Sequence, residues 1–230
     1  MRGAAVVLLA AGFLAVTEAV VTFAWQEPVT ALFAHRQQRA LEDQLEQTNS
    51  EFESPAGVTQ RAAVQTPGGQ MAALAERLDR EVDDGDALGR IQVPAIDVSL
   101  VFVSGATPRS LRKGPGHYAS TVLPGQRGTV GVAGHRTTYL APFRKLNRLA
   151  AGDDIVMTMP YGRFTYSVAY TRVVSPSRVS VLRPGPSDRL VLTTCTPVFS
   201  AAKRLVIVAR PKSAVPLGAA VGDYFPYQPR

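Results

Sequence analysis

The sequence predicts a mainly β domain, a closed or nearly closed barrel with short helices. It is preceded by an apolar amino-terminal helix and a helical, flexible stalk. Three observations predict this. From Gly89 onward, short runs rich in β-branched and aromatic residues recur, separated by Gly and Pro. No long crossover helices separate those runs, which argues against a parallel α/β fold. The 22 residues from Ala4 to Trp25 are apolar except for Glu18 and two Thr, long enough for a helix to span a bilayer.

The strand candidates are Gly89–Val93, Ser99–Val103, Gly128–Ala133, Asp154–Met159, Arg163–Val174, Arg189–Thr194 and Arg204–Arg210. Phe143, Leu146 and Leu149 stand at helical spacing, so 141–149 reads as a short helix or turn. The length of 230 residues allows one domain of ordinary size plus extensions. We divide the chain into an anchor over 1–25, an acidic helical stalk and linker over 26–88, the barrel over 89–212, and a tail over 213–230.

At the amino end, Arg2 precedes the apolar run and Trp25 closes it where an interfacial aromatic belongs. A retained anchor with the body outside the cell membrane is expected. A cleaved signal peptide is the alternative, but the run is longer than a usual h-region. Ala31 to Gln47 reads as a solvated helix leaving the membrane, with Leu32, Leu41 and Leu45 as its few apolar members. Thr48 to Gln70 carries Ser54-Pro55 and Pro67-Gly68-Gly69 and reads as a flexible linker. Met71 to Val82 is one more short helix, ended by Asp83-Asp84-Gly85-Asp86. The tail, broken by Pro216, Gly218, Asp223 and Pro226, is too short to span a membrane.

Charge is unevenly spread under the net +7. Residues 89–212 hold 18 basic and 4 acidic side chains, and 26–88 hold 5 basic and 12 acidic. A basic domain favours anionic neighbours such as phospholipid head groups, wall polymers or nucleic acid, although a solvated Arg-rich surface explains it equally well. No recognition-helix pattern, zinc spacing or RNP motif is present, so nucleic acid is not an expected partner. A single cysteine excludes an internal disulfide and a cysteine metal cluster.

That cysteine, Cys195, stands at the end of one strand candidate. Arg204 opens the next, nine positions later, and Val191, Thr193 and Cys195 share one sheet face. His135 follows the break at Gly134 after another strand candidate, and His117 and Tyr118 lie in the turn KGPGHYAS. A thiol attacks a carbonyl as thiolate, an imidazole can take and return the proton, and an Arg fork can hold an oxyanion. Taken singly, each residue also fits a structural role: a core thiol, a hydrogen-bonded histidine, a solvated strand Arg. The four acids of the barrel region, Asp97, Asp153, Asp154 and Asp188, lie in no motif, so no carboxylate is assigned to orient His135.

The neighbours of these residues carry the resemblance. Val191-Leu192-Thr193-Thr194-Cys195, Lys203-Arg204-Leu205-Val206 and Ala133-Gly134-His135-Arg136 resemble the motifs of the sortase family of membrane-anchored cysteine transpeptidases. Arg112 to Tyr118, Gly134 to Tyr139, Ala141 to Arg144 and Leu192 to Pro197 look most like class E, the housekeeping type of high-G+C Gram-positive bacteria.

The resemblance implies a barrel of about eight strands. It implies that Cys195 attacks the Thr–Gly bond of a carboxy-terminal sorting signal of LAxTG or LPxTG type. The acyl group would then pass from a thioacyl intermediate to an amine of a cell-wall precursor. His135 would be the acid/base and Arg204 the oxyanion and substrate partner. Thr194 would shape the substrate groove, and Tyr118 would read the signal's second residue or simply pack on the barrel. The implied partners are secreted proteins bearing sorting signals, a peptidoglycan amine and the membrane. No cofactor is implied, and with no Glu in 89–212 no calcium site is expected. A hydrolase of the same chemistry and a non-catalytic tethered binding barrel are the competing readings.

Overall fold

A computed structural model of the protein describes residues 6–14, 16–17, 28–53, 67–217 and 225–226. The barrel strands are β1 (Ala87–Val93), β2 (Val98–Ser104), β3 (Gly116–His117), β4 (Thr129–Ala133), β5 (Asp154–Met159), β6 (Gly162–Val174), β7 (Arg189–Thr196) and β8 (Lys203–Pro216). Their order is β6-β5-β1-β2-β3-β4-β7-β8, and a β6–β8 pairing closes the ring. Closure leaves no sheet edge within the ring. The β2–β3 and β4–β7 pairs are parallel and the others antiparallel. A ninth strand, β9 (Phe225–Pro226), adds to the outside of β8.

Period-two burial positions the core. Leu190 and Leu192 point into the main core with Val130, Val132, Ile155 and Met157, while Val191 packs on the other face with Val206, Val208 and Leu182. The β7 strand is therefore covered on both faces for most of its length. It emerges only at its end, where Cys195 and Thr196 are half-buried.

Several expectations are corrected. The stretch 26–88 is not, in its described part, a stalk standing off the barrel. Helix α1 (Pro28–Glu53) runs well beyond the expected 31–47, and helix α2 (Pro67–Glu81) begins inside the expected linker. Residues 54–66 of that linker lie outside the described residues. On α1, Ala34, Gln38, Leu41, Leu45 and Phe52 are buried, spaced by 4, 3, 4 and 7, which is one helix face. Leu41 and Leu45 pack on Ala87, Val101 and Val103.

Gln38 explains why a polar residue sits on that buried face. Its Oε1 accepts from the Val101 N–H at 2.9 Å, and its Nε2 donates to Val101 O at 2.9 Å and to Lys113 O at 2.8 Å. Strand β3 pairs with β2 only at Val103 and Ser104. The Gln38 amide thus takes the place of a strand residue at Val101, where a buried backbone N–H and C=O would otherwise be unpaired. Gly114 is needed here, because a side chain at that position would strike Gln38 Nε2 and Val101 O.

Helix α2 belongs to the core. Met71, Leu74, Ala75 and Leu78 join the central cluster with Phe52. Phe52 packs on the Tyr161 ring, and Tyr161 donates to Pro124 O at 2.7 Å. Complete burial raises the Tyr161 phenol well above its ordinary value.

The tail expectation over 213–230 is corrected as well, since β8 runs on to Pro216 and β9 pairs with Ser213 and Ala214. Within 141–149, the regular structure is a 3-10 turn at Leu146–Arg148. Among the described residues no helix is long and apolar enough to cross a membrane. Residues 6–14 and 16–17 are helical, and the rest of the expected anchor lies outside the described residues.

Candidate active site

The site grows from the carboxyl ends of two parallel strands. In the β4–β7 pair, Gly131 stands beside Val191 and Ala133 beside Thr193. These positions share one face, which Cys195 continues on β7, while His135 follows two residues past the end of β4. The alignment holds past the end of β4. Gly134 N–H donates to Thr193 O at 3.1 Å, and Thr194 Oγ1 donates to Gly134 O at 2.7 Å. Neighbouring strands lie roughly 4.8 Å apart, which sets the distance between the two backbones. On the other side of β7, Cys195 is the cross-strand partner of Arg204 on β8. Cys195 and Arg204 therefore face each other across β7 and β8, and His135 stands two residues past the adjoining end of β4.

The loop after β4 holds the histidine in place. Phe143 N–H donates to His135 O at 3.1 Å, and the Phe143 ring fits against Gly134 with no room for a side chain there. Tyr139, Leu140 and Ala141 all take positive φ, at 50°, 66° and 43°. Non-glycine residues pay backbone strain in this region, and such strain gathers at functional sites. The fold sets the Tyr139 ring 5.3 Å from the His135 ring, with the Arg112 guanidinium 5.9 Å over Tyr139.

Burial first, and the Arg112 charge second, hold His135 below the ordinary histidine value. That shift favours the neutral imidazole, the form a base for a thiol requires. Among the described residues the buried side-chain nitrogens without a hydrogen-bond partner are His135 Nε2 and Arg136 Nε. Unpaired buried polar atoms are rare, and here two fall in adjacent residues, one of which bonds the Cys195 carbonyl.

The remaining predicted residues fall around this site. The Tyr118 hydroxyl is 2.8 Å from Thr193 Oγ1, on the same face as Cys195 and two residues before it. Thr194 is only 3% exposed and spends its hydroxyl on Gly134 O, so it acts on the site through the backbone of the His135 strand. Arg204 Nη1 donates to Ala201 O at 2.9 Å and Lys203 O at 3.2 Å, which turns that end of its fork onto the β7–β8 loop. His117 is buried, with Nε2 3.0 Å from Val122 O and from Thr121 Oγ1. Burial lowers its basicity, and its contacts are structural.

The four acids of the barrel are engaged elsewhere. Asp97 pairs with Lys145, and Asp154 with Lys212. Asp153 accepts from Ala150 N–H and Asp188 from Gly128 N–H. Among the described residues no group of three or more His, Cys, Asp or Glu stands close enough to hold a metal ion.

Sequence reasoning assigned no role to Arg136 and Asn147. Arg136 Nη1 donates to Cys195 O at 3.1 Å and Nη2 to Asn147 Oδ1 at 3.0 Å. The available signal was an arginine directly after the histidine of a strand-end motif.

The sortase-domain family model matches residues 91–212, more than half of the chain. The chain belongs to the sortase family. Sortase D of Bacillus subtilis is 33% identical over 132 residues, covering 56% of this chain and 65% of that protein. Sortase E1 of Streptomyces coelicolor is 34% identical over 151 residues, covering 59% of this chain and 43% of that protein. The chain thus spans less than two thirds of the length of these curated relatives. The crystal structure of the Streptomyces coelicolor sortase E1 with a tripeptide in the active site superposes with a TM-score of 0.56 at 34% identity, over 57% of this chain and 91% of that one. Sortase E of Streptomyces avermitilis gives 0.55 at 32% identity, over 59% and 93%. Within the sortase family, these similarities agree with the class E character of the motifs.

Proposed function

We propose that this sortase-family chain is a membrane-anchored cysteine transpeptidase, with its catalytic barrel outside the cell. Its substrate would be a carboxy-terminal sorting signal of LAxTG or LPxTG type, cut between Thr and Gly. The observation that carries the reading is the cross-strand pair Cys195–Arg204 on β7 and β8, with His135 two residues past the adjoining end of β4, where Thr194 Oγ1 donates to Gly134 O. Cys195 gives its proton to neutral His135, and the sulfur adds to the Thr carbonyl carbon. The carbonyl oxygen takes the negative charge, which the guanidinium of Arg204 stabilises. Collapse breaks the C–N bond, and the His135 proton leaves with the Gly amine. An incoming cell-wall amine then attacks the thioester, loses its proton to His135 and releases the Cys195 thiolate. Arg204 must exchange its carbonyl partners on the β7–β8 loop for the oxyanion, or use its other N–H groups.

The test incubates the full chain with LAxTG and LPxTG peptides, with and without a peptidoglycan-type amine, and reads products by mass. Transfer to the amine is the expected result. Cleavage that yields only the free acid in the presence of amine would make the chain a thiol hydrolase, and no cleavage of either peptide would overturn the reading.

A further inference from the structure

We propose that Arg136 is a positioning residue that fixes the nucleophile, and that its buried charge favours the thiolate form of Cys195 as it reacts. This rests on Cys195 as the nucleophile of the proposed reaction. Arg136 is 7% exposed, the one Lys, Arg, Asp or Glu side chain among the buried described residues. A buried guanidinium is costly unless a carboxylate neutralises it. Its hydrogen-bond partners are neutral: the Cys195 carbonyl and the Asn147 amide oxygen. Its Nε has none.

Asp97, Asp153, Asp154 and Asp188 are bound to Lys145, Ala150 N–H, Lys212 and Gly128 N–H. The group beside Arg136 that can become an anion is the Cys195 thiol. Burial lowers the Arg136 pKa, the Cys195 charge raises it, and the Arg144 charge lowers it. Because Arg136 Nη1 bonds the Cys195 carbonyl, its positive charge stands within one residue of the thiol, where Coulomb attraction acts on any anion formed there. Arg144 adds further positive charge from the same loop. Arg204 lies across from Cys195 on β8, and His135 stands two residues past the end of β4.

The two arginines therefore divide the work. Arg204 is half-buried and rests part of its fork on loop carbonyls, so it is free to move to an oxyanion. Arg136 is enclosed and cross-links the nucleophile's own carbonyl to Asn147, so its charge stays where it is. That rigidity suits a group acting on the resting thiol.

The experiment follows alkylation of Cys195 by iodoacetamide in the full chain, by intact mass, at pH 7 and pH 10. The variants are Arg136→Gln, Arg136→Lys and Asn147→Asp. At pH 7 Arg136→Gln should react about fivefold or more slowly, and Arg136→Lys within about twofold of wild type, because thiolate fraction sets the rate. Asn147→Asp leaves the guanidinium in place but sets a negative charge against it, and should slow labelling about threefold. At pH 10, above the ordinary thiol value, all should approach the wild-type rate. Wild-type rates at pH 7 in both Arg136→Gln and Asn147→Asp would overturn the proposal. So would a slowing equally large at pH 10, which reports lost access. If Arg136→Gln does not fold, Asn147→Asp decides alone. Alkylation needs no sorting peptide, so this outcome is separate from whether the chain transfers one.

Discussion

Thr194 Oγ1 donates to Gly134 O at 2.7 Å, tying the residue before Cys195 to the residue before His135. Both ends are buried, so the bond is shielded from water. Thr194→Val keeps the shape but leaves Gly134 O unpaired, at a cost of about 1–3 kcal/mol. The expected outcome is a lower urea midpoint and a fall in kcat greater than any change in KM, because the approach of His135 to Cys195 loosens. Thr194→Ser keeps the hydroxyl and should recover most of both. Wild-type stability and turnover in Thr194→Val would mean that backbone pairing alone holds the register.

The acid limb of the rate profile should belong to His135. Its imidazole is held below the ordinary histidine value, by burial first and by Arg112 second. A base must be neutral, so the limb of kcat/KM should lie below about pH 6.5, the unperturbed histidine value. Arg112→Gln removes the smaller cause, so the limb should move to higher pH while staying on the acid side of that value. Stability follows the same sign. As pH falls through the ordinary histidine range, the unfolded chain binds the proton before the folded one, so the His135 contribution to stability declines. An unmoved acid limb in Arg112→Gln would detach the charge of Arg112 from the base.

Cys195 and Arg204 face each other across β7 and β8, and they should fail differently when replaced. Cys195→Ala should abolish both signal cleavage and thiol labelling, and retained turnover would point to another nucleophile. Arg204→Lys should fold normally, because the side chain is half-buried and its partners are loop carbonyls. It should lose about 10²–10³ in kcat, the usual loss when an oxyanion donor is removed. One ammonium cannot reproduce the planar fork. Near-wild-type turnover in Arg204→Lys would show that the fork is unnecessary.

Much of this architecture was legible in the sequence because its strands are two-sided. Asp154–Met159 alternates half-buried and buried residues along its whole length, and period two finds such a strand from residue types alone. The Cys195–Arg204 spacing was legible for a related reason, since nine positions is the separation across a hairpin in which the two residues face each other. Strand β3 was not legible, because two residues carry no period. The continuation of β8 was hidden by Pro211. A proline reads as a stop, yet here it lies opposite Tyr166 beside a register shift, where a bulge tolerates it. Gln38 misled in the opposite way. A glutamine reads as solvent-facing, but this amide is buried as a substitute for strand backbone. Arg136 is the same case at the site: charge suggests exposure, and only the packed structure reveals that it is enclosed.

The boundary at Gly89, natural from composition, should prove a poor place to cut. A fragment of residues 89–212 lacks Phe52, Met71, Leu74, Ala75 and Leu78, all members of the central cluster. It also lacks Ser213 to Pro216, which pair with Gly162 to Thr165. Each large apolar side chain contributes about 1.5–3 kcal/mol when buried. Four of them together approach the 5–15 kcal/mol, roughly, that holds a typical domain folded. Gln38 is lost as well, which leaves the Val101 backbone groups without their partner. The 89–212 fragment should therefore bind a hydrophobic dye and melt without a cooperative transition. A fragment of residues 28–230 should melt cooperatively. Equal melting temperatures for the two would mean that α2 rests on the barrel without contributing to its core.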